Sequence, residues 1–149
     1  MTQEERKKAM YNQGRADAQA LQAEAENLTG TQLNAEGGKI PDFQAAVKNA
    51  NMLTRLAGFV CKSTSGRVVK LLQPYDSTIF TGEPEELPAQ WGFQWSQDPA
   101  HARPFVAIST SPYNKGDCCT EDRTVYRSTM DGNVWAPSAY PQGWEAVEL

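Results

Sequence analysis

Histidine is nearly absent from this chain: His101 is the only one among 149 residues. A Ser-His-Asp or Cys-His machine would have to centre on it, and no nucleophile-elbow pattern accompanies it. Neither a Walker glycine pattern nor a dinucleotide-binding one occurs. No local spacing suggests the two placed carboxylates of a glycosidase. The chain is therefore read as non-catalytic and without a cofactor. Long apolar runs are missing as well. None approaches eighteen residues, and the opening TQEERKKAMYNQGR is strongly polar, so neither a membrane span nor a secretion signal is expected, and the protein is read as soluble. An excess of positive charge is also lacking. The net charge is −4, which argues against a nucleic-acid partner, whose phosphates call for a basic footprint.

Cysteine is scarce. Cys61, Cys118 and Cys119 are the only three, and vicinal cysteines rarely bridge each other because the geometry is strained. A bridge from Cys61 to Cys118 or Cys119 stays open. Three thiolates with His101 would make a zinc set, but no C-x2-C spacing supports one. Small buried hydrophobes are the preferred reading, with no metal.

What is present falls into three stretches. Residues 1–30 read as a helical arm. Thr2-x-x-Glu5 is a capping box, Glu4 and Glu5 sit at the positive helix end, and Gly30 is a plausible terminator. The stripe at helical spacing is Met10, Gly14, Ala18, Leu21, Ala25 and Leu28. So narrow a face cannot hold the helix alone, so the arm is expected either to dock on another chain or pack with copies of itself, or to be a partly ordered tail. Asp17 and Glu24 fall on the heptad continuation from Met10, which disfavours a long coiled coil. Residues 31–57 read as a linker with a possible short helix after Asp42, through Phe43 and Val47, because Gly30, Gly37-Gly38 and Pro41 stand among polar residues.

Residues 58–149 read as a small, mainly antiparallel β-domain, which makes the fold class α+β. Phe59–Lys62 and Arg67–Gln73 flank Gly66 as a hairpin. Pro84, Pro88 and the acids Glu83, Glu85 and Glu86 suggest a solvated loop. Trp91, Phe93 and Trp95 would share one strand face at period two. Phe105–Thr110 reads as the best strand, with Trp91 and Trp95 buried against it. Further on, Gly116-Asp117 and Asp131-Gly132 are turn pairs, and Thr124–Thr129 alternates as a half-buried strand.

The stretch from Tyr113 to Glu145, YNKGDCCTEDRTVYRSTMDGNVWAPSAYPQGWE, holds Tyr-x-x-Gly-Asp, then Val125-Tyr126, then Asn-x-Trp-x-Pro and Pro-x-Gly-Trp. It resembles the chitin-binding type of carbohydrate-binding module, family 5/12, which phage tail and adsorption proteins also carry. The likeness covers residues 113–147, with Cys118 where the pattern usually has Val. It implies a carbohydrate-binding site at Trp135, Tyr140, Trp144 and Tyr126. Flat aromatic faces stack on sugar rings at small entropic cost. In a small β-domain such rings also fill the core, and that is the stronger expectation for Trp144 and Tyr126, whereas Trp135 lies between turn residues and is the first candidate for a platform.

Together these readings predict a phage virion or tail-associated protein whose C-terminal module contacts a host surface polysaccharide. Its helical arm would bind other virion proteins or make a homo-oligomer. The other reading is a purely structural virion component, such as a decoration or fibre protein, whose β-domain only packs on neighbours. An accessory module from a chitin- or peptidoglycan-degrading enzyme is a third.

Overall fold

Thr2 opens α1 as its side chain dictates. In the computed structural model, which describes residues 2–149, Thr2 Oγ1 accepts from the Glu5 amide at 3.1 Å, while the Thr2 amide donates to the Glu5 carboxylate at 3.0 Å. Met1, the first residue of the expected arm, lies outside the described residues. Helix α1 runs Gln3–Glu24 and tightens into a 3-10 turn at Ala25–Asn27. Residues 2–16 are exposed throughout, whereas Leu21 and Ala25 are buried with Leu33, Ile40, Val60 and Val68. The arm is thus half free and half docked. Its docked half is held by a paired amide as well as by apolar contact. Gln22 Nε2 donates to the Val60 carbonyl at 2.7 Å, and the Val60 amide donates to Gln22 Oε1 at 2.9 Å. The side chain thereby completes the hydrogen bonding of an edge strand that would otherwise be open.

The stretch expected as a linker is mostly helical, and the short helix expected after Asp42 is present. Helix α2 occupies Gly30–Ala35 and α3 occupies Phe43–Asn49, with 3-10 turns at Gly37–Lys39 and Met52–Thr54. Leu33, Ile40, Phe43, Ala46 and Met52 are all buried. Gly30 does not terminate the arm. It is the first residue of α2, capped by a second box between Thr29 and Gln32. A glycine is needed there because a Cβ would stand 2.2 Å from the Trp95 carbonyl oxygen. Asn34 reinforces the contact by donating to the Gly30 and Gln94 carbonyls, both at 2.8 Å.

Seven short strands follow. Val60–Lys62 (β1), Val68–Leu71 (β2) and Trp91–Phe93 (β3) form an antiparallel sheet in that order, with the expected β1–β2 hairpin pairing Val60 with Lys70. Arg103–Pro104 (β4), Cys118–Glu121 (β5), Thr124–Ser128 (β6) and Trp144–Val147 (β7) form the second sheet. There β4 lies parallel to β5, and the other pairs are antiparallel. The architecture is α+β.

Phe105–Thr110 is not a strand. Pairing stops at Pro104, after which the Phe105 amide still donates to the Thr120 carbonyl at 2.9 Å. The alternation in this stretch has another cause: the chain crosses between two cores. Phe105 joins Tyr113 and Trp144, while Val106 and Ile108 join the cluster around Trp91. Trp91 is buried in that cluster with Val69, Leu71 and Ile108, and meets Phe43 and Tyr75 edge to face at 5.7 and 6.1 Å. Its indole N–H donates to the Tyr75 hydroxyl at 3.1 Å.

The acidic loop is also less solvated than expected. Glu85 is largely buried and pairs with Arg67 at 3.1 Å. Arg67 also donates from Nε and Nη2 to the Pro104 carbonyl, at 3.2 and 2.7 Å, so it ties β2, β4 and the 83–86 loop together. All three cysteines are buried free thiols. Cys61 belongs to the Trp91 core and Cys119 to the Tyr113 core.

Candidate aromatic binding site

The Tyr-x-x-Gly-Asp segment works as a knot of backbone. Tyr113 and Asn133 exchange amide-to-carbonyl bonds in both directions, at 2.9 and 2.8 Å. Gly116 takes a φ of +98°, in the region that side chains disfavour, and its amide donates to the Ser128 carbonyl. The Asn114 amide donates to the Asp117 carboxylate at 2.8 Å. Burial pushes the Asp117 carboxyl above its ordinary value, and that bond opposes the rise. Asn133, fully buried, donates from Nδ2 to Ser128 Oγ and to the Gly143 carbonyl, at 3.1 and 2.9 Å. Its Oδ1 accepts from the Trp135 amide at 3.3 Å.

On this knot the four candidate residues separate. Trp144 begins β7 and is only 7% exposed. Its ring meets Tyr113 at 5.3 Å and Phe105 at 6.1 Å, both near perpendicular, and its indole N–H donates to the Trp135 carbonyl at 2.7 Å. So covered a ring lies in the core, in line with the stronger expectation for it, and its indole braces the Trp135 backbone from beneath. Tyr126 lies in β6 and is half-buried against the same cluster. The register pairs Tyr126 with Ala146 and Ser128 with Trp144, so Tyr126 and Trp144 share one sheet face.

Trp135 and Tyr140 come out into solvent together. They are 47% and 38% exposed, with ring centroids 5.6 Å apart and planes inclined at 55°. The loop that carries them is short of freedom. The Ala139 and Tyr140 amides both donate to the Ala136 carbonyl at 2.9 Å. Ser138 donates from its amide and its hydroxyl to the Glu121 carboxylate, at 2.9 and 3.1 Å. The backbone beneath the pair is therefore held, and the two rings together form a tilted aromatic surface. Uncharged, flat ligands suit it, through C–H contacts to the ring faces.

The remaining tryptophans do not join this site. Trp95 stacks on Tyr113 at 4.1 Å and on Phe93 at 5.5 Å, and its indole N–H donates to the Ser111 carbonyl at 2.9 Å. It bridges the cores of the two sheets. Glu121 and Ser138, which hold the loop, were not singled out in the sequence, and their separation of seventeen positions leaves no local signal. Among the described residues no cluster of three metal-ligating side chains occurs, and no helix is long and apolar enough to cross a membrane. Compared with family models, curated proteins and solved structures, the chain matches none.

Proposed function

We propose that this protein is a non-catalytic glycan-binding component of a phage virion or tail. Trp135 and Tyr140 form its stacking platform, Trp144 and Tyr126 support that platform, and a host surface polysaccharide is its ligand. One observation carries the reading. Among the described residues, Trp135 and Tyr140 are the one neighbouring pair of rings with both members exposed, and they are held side by side on a loop fixed by Asn133, Trp144 and Glu121. The resemblance of residues 113–147 to chitin-binding modules supports the ligand class and the setting. Titration with N-acetylglucosamine oligomers tests it by fluorescence. Wild type should show a blue shift and Trp135→Phe should not, because the other tryptophans are already buried or half-buried. A wild type whose spectrum is unmoved by every oligomer contradicts the reading.

A purely structural role in the particle is the second reading, favoured by the exposed first half of α1. That surface would then be the functional one, and the aromatic pair would pack on a neighbouring virion protein. Retention on glycan discriminates between the two.

A further inference from the structure

The two halves of α1 carry opposite charge. Residues 3–15 hold four basic side chains and two acidic ones, whereas residues 16–28 hold three acids and no base. The negative end of the helix dipole therefore coincides with Glu24 and Glu26, with no basic residue in the last turn to offset it. Beside that end lies a groove of about 430 Å³ between α1 and α2, lined by Leu21 and Leu28, by Asp17 and Glu24, and by the Glu36–Lys39 ion pair, so its free charge is that of Asp17 and Glu24. On the exposed first half, Met10 is 75% exposed, and Lys7 is exposed on the same helix face three residues away.

We propose that the occupant of this groove is the first half of α1 from a second copy of the chain, lying antiparallel. Heptad positions give the register. Met10, Asp17 and Glu24 fall on one seam position, and Lys7, Gly14, Leu21 and Leu28 on the other. Antiparallel packing sets Met10 of one copy over Leu21 of the other, Lys7 beside Glu24, and Gly14 beside Asp17. Gly14 has nothing within 4 Å of where a Cβ would stand, so the helices can approach closely at the crossing. A parallel pair in register would oppose Asp17 to Asp17 and Glu24 to Glu24, and the like charges disfavour it. Two-fold symmetry repeats each contact and closes the assembly at two chains. The dimer would offer two copies of the aromatic platform, so weak single sites would act together on a polymer.

This inference does not rest on the glycan reading, and its test reads mass alone. Light scattering over a concentration series should give wild type at twice the chain mass, with dimerisation weakened by high salt. Lys7→Glu should weaken dimerisation at least tenfold, with the circular dichroism of the folded monomer kept because Lys7 is exposed. Combining Lys7→Glu with Glu24→Lys should restore it. Met10→Ser should weaken it without altering the salt response. A wild-type monomer at every concentration overturns the proposal, as does a higher oligomer. A dimer indifferent to Lys7→Glu, or one that the double exchange fails to restore, also overturns it.

Discussion

Asp122 and Arg123 sit at the tip of the β5–β6 hairpin with φ of 49° and 67°. Glu121 pairs with Thr124, so the loop is two residues long and both adopt the left-handed region that such tight hairpins demand. Aspartate adopts this region more readily than arginine, and nothing in the sequence marks Arg123 as a turn residue because Asp-Arg is no turn signature. Arg123→Gly should therefore raise stability by about 0.5–1 kcal/mol, seen as a higher midpoint in thermal denaturation. The buried thiols make a second prediction at this scale. Burial pushes Cys119 up to about 12 and also raises Cys61 and Cys118. An unfolded thiol ionises near 9, so the folded chain holds protons that the unfolded chain has released. The resulting stability is complete below pH 9 and is lost as pH rises from 9 toward 12. Denaturant midpoints should fall between pH 9 and 11, and alanine or serine at Cys119 should flatten that slope.

At the scale of elements, what could be read in the sequence was what depends on near neighbours. The Thr2 capping box, the Gly66 hairpin and the strand at β6 each rest on contacts within a few residues, and all three are present, although the burial along β6 does not alternate strictly. What failed depended on distant partners. Residues 29–41 carry the glycines of a linker, yet Gly30 serves a close approach to Trp95, sixty-five positions away. Phe105–Ile108 carries the alternation of a strand, yet its side chains serve two cores and its ladder pairing ends with the Phe105 amide. At the candidate site the exposed position of Trp135 follows from its turn residues. The covering of Trp144 follows from Phe105 and Tyr113, which no local pattern brings to it. Gly30→Ala tests the α2 contact. Its methyl cannot fit without moving the backbone of either partner, so stability should fall by roughly 1–3 kcal/mol. Amide exchange should then rise in α2 and in residues 94–97 more than in the second sheet. Equal protection in α2 would mean that the contact is dispensable.

For the whole molecule, the docked half of α1 and α2 cover one face of the first sheet, over Val60 and Val68, while α3 packs on the opposite face with Cys61, Val69 and Leu71. The second sheet, joined through the Trp95–Tyr113 stack, carries the aromatic pair. Free helix and exposed rings are thus presented by different parts of one body, which suits a component that is anchored at one surface and makes contact at another. The measurement that tests this most directly is retention on insoluble chitin and on bacterial cell wall, comparing wild type with Trp135→Ala. The exposed ring can be removed at little cost to the fold, so both proteins should give the same circular dichroism and melting behaviour. Wild type should be retained on at least one of the two materials, and Trp135→Ala should be retained at least tenfold more weakly. A folded wild type that passes freely over both, or a Trp135→Ala variant retained as well as wild type, contradicts the account.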